Sequence, residues 1–241
     1  MDTGIYIALS KETGIFHDLE VTANNIANTN TTGYQSESLL FSDYLKPTSP
    51  QENHVAFAND IATFRDTEQG SLQVTGNTLD AAIQGKGYFV VQTPLGLRYT
   101  RNGNFGTNQQ GELVTAKGYK VLDTSNQPIT FDDADKQVDI RDDGTISVDG
   151  SERATMKIVQ FSNEQLLQRT SDAMYISDVP PKPAENFQVV AGALERSNVQ
   201  SFTALTHMMY VTRSVSDTAN FISAMYALER KASDTLAKIY S

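Results

Sequence analysis

The chain has 241 residues, of which 39% are hydrophobic and 20% are charged, and this apolar content excludes wholesale disorder. Its 29 acidic and 19 basic residues give a formal net charge of -10, which disfavours nucleic acid or an anionic membrane surface as a partner. The absence of cysteine excludes disulfides, thiol nucleophiles and thiolate metal sites.

The first predicted element is an amphipathic helix over residues 2–26. Apolar side chains recur at alternating spacings of four and three along one face, and Glu12 is the only charge among them. The members of this heptad seam are Ile5, Leu9, Glu12, Phe16, Leu19, Ala23 and Ile26. The asparagine-rich stretch that follows, with Gly33, is typical of a helix end that runs into a turn.

The middle of the chain predicts β-structure. Eleven of the fifteen glycines lie between Gly70 and Gly150, where they separate runs of β-branched and aromatic residues. The dipeptides Asn102–Gly103 and Asp143–Gly144 predict turns between neighbouring antiparallel strands. We therefore expect an all-β, antiparallel middle domain.

Prolines flank this middle region on both sides. They stiffen the chain and exclude helix, so both stretches are interpreted as linkers. The prolines are Pro47 and Pro50 before the region and Pro180, Pro181 and Pro183 after it.

The last predicted element is a helix of about 40 residues, roughly 60 Å long. Its heptad seam, with polar breaks, consists of Leu205, Met208, Thr212, Val215, Ala219, Ile222, Tyr226, Glu229, Ser233, Leu236 and Tyr240. A second row flanks the seam: Ala204, Val211, Thr218, Met225, Ala232 and Ile239. The first helix can cover only part of this stripe, so we expect the remainder to meet another chain. The alternative is a helical hairpin that packs on its own β domain.

Together these elements predict an α+β fold. Long N- and C-terminal helices pack together as a coiled-coil-like domain, and the all-β domain is inserted between them. The predicted boundaries are 1–33 and 193–241 for a discontinuous helical domain, 34–75 for an extended linker region, 76–180 for the β-rich domain and 181–192 for a return linker.

Catalytic and metal-binding patterns are missing from the sequence. His17, His54 and His207 lie far apart without the spacing of metal ligands, and we interpret them as lone surface histidines. The acidic stretch 132–152 lacks the spacing of a calcium-binding EF-hand loop. We expect no enzyme activity, no catalytic residue, no cofactor and no bound metal, although a hydrolase that uses paired carboxylates stays open as an alternative.

Three segments carry a resemblance to a known family. They are residues 23–34 (ANNIANTNTTGY), residues 68–122 and residues 192–199 (GALERSNV). In content, order and spacing they resemble the bacterial flagellar rod and hook proteins, and the opening MDTGIYIALS is most similar to proximal-rod members, then to distal-rod members. The residues that match the family motifs are Asn24, Asn25, Ala27, Asn28, Thr32, Gly33, Tyr34, Leu194, Glu195, Ser197, Asn198 and Val199. The match departs after Val199, where ALTHMMYVTRSV replaces the family's acidic and basic stretch.

The resemblance implies a structural subunit of the flagellar basal-body rod, in its proximal part, that polymerises through its terminal helices as part of the drive shaft. It further implies self and other rod proteins as partners, passage through the flagellar type III export apparatus without a cleaved signal peptide, and a periplasmic location without membrane insertion. The implied assembly residues are Ile5, Leu9, Phe16, Leu19, Ala23, Ile26, Leu205, Met208, Val215, Ile222 and Leu236. The alternative function is a secreted β-rich binding module or adhesin with a coiled-coil stalk.

Overall fold

The computed structural model describes residues 2–46, 55–132 and 138–239. Within these ranges the chain forms helices α1 (Asp2–Ala27) and α2 (Ser201–Ile239), eighteen strands and a short 3₁₀ turn at Glu164–Leu166. The first nine strands are β1 Glu37–Lys46, β2 Val55–Arg65, β3 Leu72–Val74, β4 Ala81–Gly85, β5 Tyr88–Thr93, β6 Gly96–Thr100, β7 Phe105–Thr107, β8 Leu113–Thr115 and β9 Lys120–Val121. The other nine are β10 Val138–Ile140, β11 Thr145–Val148, β12 Ser151–Thr155, β13 Ile158–Gln160, β14 Gln168–Arg169, β15 Met174–Ile176, β16 Lys182–Pro183, β17 Phe187–Ala191 and β18 Ala193–Glu195.

The chain divides into two compact units, each built from separate stretches of sequence. Unit 1 contains α1, α2, β1 and β2 as far as Phe64, and unit 2 contains Asn28–Ser36 and Arg65–Val199. Within unit 1, β1 pairs with β2, and α1 packs against both α2 and β1. As far as the described residues extend, neither helix is long and apolar enough to cross a membrane.

The fold class predicted from the sequence is wrong. The described chain is mostly β-sheet, and the N-terminal helix, with 26 residues, is much shorter than α2, with 39. The helices do not form the expected coiled coil, because Leu9 and Phe16 of the predicted seam are 52% and 50% exposed. The alternating spacing identifies residues that share a face, but it does not specify which neighbour that face meets.

Unit 2 is built around a nine-stranded antiparallel sheet in which β5 is a central strand. The order along its main path is β14-β15-β6-β5-β9-β8-β7, and β13 pairs with both β5 and β16. Successive side chains of a strand point to opposite faces. Accordingly, Phe89 and Val91 of β5 belong to one hydrophobic cluster, and Tyr88 and Val90 belong to another.

Three smaller antiparallel sheets complete the described part of unit 2, in the orders β10-β11-β12, β17-β4 and β18-β3. The last two join distant parts of the sequence. In β17-β4, Val189 lies opposite Ile83, and in β18-β3, Glu195 lies opposite Leu72. The start and the end of the β region are therefore brought side by side.

The two predicted turns have different outcomes. Gly144 has a φ of +82° and its N–H donates to Arg141 O at 2.9 Å, so Asp143–Gly144 connects β10 to β11 as predicted. The prediction for Asn102–Gly103 is wrong, because the flanking strands β6 and β7 pair with other strands and not with each other. An added Cβ on Gly103 would lie 1.6 Å from Ala81 O, so this glycine permits a close crossing of two backbone segments.

Candidate assembly interface

Asn25, in the last turn of α1, fixes the beginning of β1. Its Nδ2 donates to Glu37 O at 2.6 Å, and its Oδ1 accepts from Glu37 N at 3.0 Å. After the helix, Thr31 N and Oγ1 donate to Asn28 O and Oδ1, both at 3.1 Å, and close a turn. The Asn25 side chain therefore binds backbone groups that follow the helix, the Asn28 side chain accepts from the Thr31 hydroxyl, and Asn24 is exposed.

Gly33 lies where two backbone segments of unit 2 cross. It has a φ of +66°, and its N–H donates to Glu195 O at 2.8 Å. An added Cβ would lie 2.5 Å from Asn102 N and 2.6 Å from Arg101 C, so only glycine fits here. Beside it, Thr32 Oγ1 donates to Asn102 Oδ1 at 2.7 Å.

Tyr34 is buried next to this crossing. The guanidinium carbon of Arg169 lies 4.3 Å from the centre of the Tyr34 ring, and Arg169 Nη1 donates to Tyr34 OH at 2.7 Å. A planar guanidinium can stack and donate a hydrogen bond at the same time. Tyr34 is therefore held inside unit 2 and is not presented to solvent.

Glu195 is a buried carboxylate that forms an ion pair with Arg101. Arg101 Nε donates to Glu195 Oε2 at 2.7 Å, and Gly70 N donates to Glu195 Oε1 at 3.1 Å. The remaining nitrogens of Arg101 donate to the carbonyls of Ile83, Gly85 and Gly87. Burial raises the pKa of Glu195, and the Arg101 guanidinium opposes that shift.

Asn198 connects three segments of unit 2. Its Oδ1 accepts from Ser36 N at 2.7 Å, and its Nδ2 donates to the carbonyls of Asp66 and Glu68, both at 3.0 Å. Two motif segments that are far apart in sequence therefore meet. We call this hydrogen-bonded cluster, residues 32–36 and 195–198, the motif joint.

The other matched residues have smaller roles. Leu194 is buried in β18 opposite Gln73, and Ser197 Oγ accepts from Val199 N at 3.2 Å. Val199 is half-buried and Ala27 is exposed.

Sequence reasoning missed the partners of these motif residues. Arg101 and Arg169 were not singled out, and Asn102 was named only as part of a predicted turn. Asn102, Arg101 and Arg169 lie 70, 94 and 135 residues from Thr32, Glu195 and Tyr34, respectively. No local spacing connects residues at such distances, so the sequence offered no signal for these pairings.

The predicted assembly residues of the two helices do not share one buried face. Leu9, Phe16 and Leu205 are exposed. The half-buried members are Leu19, Ala23, Ile26, Met208, Val215 and Ile222. The side chains of Ile5 and Leu236 lie outside the described residues.

The described contact between α1 and α2 uses other residues. Val21 and Thr22 are buried on α1, and Val211 and Thr218 are buried on α2. A polar contact joins the same helices, because His207 Nε2 lies 3.0 Å from an oxygen of the Asp18 carboxylate. His207 is therefore a surface histidine as predicted, but it is not a lone one, because it contacts Asp18.

An apolar ridge on α2 faces away from this contact. Phe202 is 85% exposed, Leu205 48% and Met209 66%, and these residues recur at helical spacing. We call Phe202, Leu205, Met209 and the following Arg213 the α2 ridge. It borders an open groove of about 830 Å³, lined by Phe202, Leu205, Thr206, Met208, Met209, Thr212, Arg213 and Ser216. Exposed apolar surface of this kind is typical of a protein interface.

A metal centre is not indicated in the part of the chain that the structure describes. No group of three or more His, Cys, Asp or Glu side chains is placed there to hold a metal ion. The candidate functional features of the described residues are the motif joint and the exposed helical faces.

Comparisons with known proteins agree on one kind of relative. The family described as "Flagella basal body rod protein" matches residues 18–35, and the family described as "Flagellar hook protein FlgE/F/G D1 domain" matches residues 82–148. The chain is 34% identical to the flagellar basal-body rod protein FlgF of Caulobacter vibrioides over 99% of this chain and 100% of the relative. It is 31% identical to FlgF of Rhizobium meliloti over 98% of both chains. It is 29% identical to the rod protein FlgG of Bacillus subtilis over 91% of this chain and 93% of the relative.

Proposed function

This chain belongs to the flagellar basal-body rod protein family, and from that premise we propose that it assembles into the proximal part of the rod through contacts of its two terminal helices. It is a structural subunit of the bacterial flagellar basal-body rod. The comparisons give no support to a secreted binding module or adhesin.

The proximal position is supported by the pattern of similarity. The matches to FlgF proteins cover 98–99% of this chain at 29–34% identity, whereas the matches to FlgG proteins cover 82–91% at 27–31%. The opening sequence MDTGIYIALS is also most similar to the proximal-rod members of the family.

Assembly through the helices is supported by their exposed apolar side chains. Rod proteins assemble with one another in the basal body, so self and other rod proteins are the proposed partners. Leu9 and Phe16 on α1 and the α2 ridge leave large apolar side chains in water. Burying each of them would contribute about 1.5–3 kcal/mol, which favours association of copies.

We infer three further properties of the chain from its family and its net charge. We infer a non-catalytic role, because the relatives are named as rod proteins. Nucleic acid is not a proposed partner, because the net charge is -10. Delivery to the periplasmic rod by the flagellar type III export apparatus is implied by the family resemblance and is a proposal as well.

Complementation in the source bacterium tests the proposal. A strain that lacks this chain receives the full chain or a Phe202→Asp, Met209→Asp double variant, and swimming is scored together with the amount of chain in purified basal bodies. We expect the double variant to lose both, because a charged ridge cannot be buried. Leu95→Asp is the matched control, since Leu95 is also exposed but lies between β5 and β6. Normal incorporation of the double variant would contradict assembly through α2.

A further inference from the structure

Unit 1 exposes two apolar faces that differ in charge. The first, which we call the α1 seam, consists of Leu9, Glu12, Phe16, Leu19 and Ala23, and Glu12 is its only charge. The second is the α2 ridge, whose only charge is Arg213. Within the described residues, neither Glu12 nor Arg213 has an ion-pair partner.

We propose that the α2 ridge of one copy packs antiparallel on the α1 seam of a second copy, with Arg213 opposite Glu12. This proposal rests on the proposed function. It specifies which two helix faces meet, the register in which they pack and the pair of charges between them. Oppositely charged groups inside an otherwise apolar contact fix register and reject wrong partners.

A single chain cannot make this contact with its own helices. The side of α2 that packs on α1 in the same chain carries Val211 and Thr218, and the buried residues of α1 include Val21. The seam and the ridge lie on other sides of these helices, so Leu9 and Phe16 of the seam and the apolar side chains of the ridge stay exposed after the intramolecular contact has formed. A second copy supplies both faces at once.

The two faces are similar in length. The α1 seam extends from Leu9 to Ala23, about 21 Å along the helix, and the α2 ridge extends from Phe202 to Arg213, about 17 Å. A contact of about three helical turns can therefore form, and Leu9 then lies beyond the ridge, opposite Ser216.

The side chains favour the antiparallel register. With residue 12 opposite residue 213, Phe16 faces Met209, and Ala23 leaves room for Phe202. Sulfur over an aromatic edge and a small residue opposite a large one are both favourable packing arrangements. In the parallel register, Phe16 would instead face the charged Asp217.

Disulfide trapping in assembled basal bodies tests the contact directly. The chain contains no cysteine, so Phe16→Cys in one copy and Met209→Cys in a differently tagged copy introduce the only thiols of this protein. We expect a mixed disulfide dimer after mild oxidation, because opposed positions can bring Cβ atoms within about 4 Å. Phe16→Cys with Leu228→Cys is the control, since Leu228 is exposed on α2 well beyond the ridge. Basal bodies that contain both tagged forms without the mixed dimer would overturn the proposal.

A charge exchange tests the pair between copies. Glu12→Lys alone and Arg213→Glu alone each place like charges at every contact, so we expect incorporation to fall by about tenfold. Expressing both variants together restores opposite charges at every mixed contact, and incorporation should return to near the normal amount. Rescue by a second copy would not occur if the two residues paired within one chain. Arg230→Glu is the matched control, because it makes the same change about 26 Å further along α2.

The proposed function and the proposed contact have different contradicting outcomes. If the unaltered chain is absent from purified basal bodies, the proposed function is wrong. If the chain is present but neither the mixed dimer nor the rescue is observed, the proposed function stands and this contact is wrong.

Discussion

Gly33 lies in the left-handed region of backbone conformation, with main-chain atoms of Asn102 and Arg101 directly against it. We expect Gly33→Ala to lower the free energy of unfolding by about 2–4 kcal/mol, from the positive φ and from crowding. The matched control is Gly118→Ala, because Gly118 has a φ of +83° but no atom within 4 Å of an added Cβ. That variant should lose only about 1 kcal/mol. Urea unfolding measures both, and equal losses would contradict the crowding at the motif joint.

The second prediction concerns the contribution of the buried ion pair of Arg101 and Glu195 to the free energy of unfolding. Arg101→Met leaves the carboxylate buried without a cation, so we expect a loss of about 3–5 kcal/mol of unfolding free energy at neutral pH. Burial raises the pKa of Glu195 and Arg101 opposes that shift, so the variant should have a still higher pKa at this carboxyl. Urea unfolding midpoints at pH 7 and pH 5, compared with the unaltered chain, measure the effect.

The direction of the pH dependence follows from proton binding. A carboxyl whose pKa is raised in the folded state binds protons more tightly there than in the unfolded chain. Its contribution to stability is therefore present in full at pH values below the unfolded pKa. That contribution is lost as the pH rises through the folded pKa. The Arg101→Met variant should therefore recover part of its lost stability at pH 5. Arg98→Met removes a more exposed arginine nearby and should show no such recovery. An equal deficit of Arg101→Met at both pH values would argue against the buried carboxylate as the cause.

The helix pair of unit 1 depends on a small buried contact. Val211 is 2% exposed, and an unpaired carboxylate there would be costly to bury. We expect Val211→Asp to separate α1 from α2 and to accelerate hydrogen exchange of α1 amides by about tenfold or more. Thr212→Asp places the same charge on the neighbouring exposed position and should change exchange little. Comparable acceleration in both variants would show that charge on α2, and not the buried contact, is responsible.

Hydrophobic periodicity predicts helices better than it predicts their partners. The alternating spacings suit only a helix, and helices are found at Asp2–Ala27 and Ser201–Ile239. The buried face of α1, however, includes Gly14 and Thr22, which contribute little hydrophobic signal. The strongest signal came from side chains such as Phe16 that remain exposed, and for this reason the predicted coiled coil was wrong.

Strands could be predicted from the sequence, but their pairing could not. The run that contains β5 has the aromatic and β-branched composition of a buried strand. The pairing of β4 with β17 joins segments about 100 residues apart, and no local pattern specifies such a partner. The same limit applies to the motif joint. Gly33, Asn198 and Arg101 all lie in segments that resemble the family, but no local pattern specifies that Arg101 pairs with Glu195. The pairing of β1 with β2 was missed for a different reason, because Pro47 and Pro50 between these strands were interpreted as marks of a linker.

The division of the whole chain into two units matters for how a rod subunit is built. Both hydrophobic clusters of unit 2 are formed by residues between positions 79 and 189, so no helical side chain belongs to them. The helices of unit 1 instead leave apolar side chains exposed. In a subunit of this kind the β region can stay folded while the exposed surface of the terminal helices becomes buried against neighbouring copies.

A fragment of residues 28–199, which lacks both helices, tests this division of roles. We expect it to unfold in urea as cooperatively as the β region of the full chain, because it retains both hydrophobic clusters. In cells that also express the full chain, the fragment should be absent from purified basal bodies, since it has neither the α1 seam nor the α2 ridge. Tyrosine fluorescence during urea unfolding and immunoblots of basal bodies provide the two measurements. A non-cooperative transition would show that the β region needs the helices to fold, and incorporation of the fragment would show that the β region alone carries the assembly contacts.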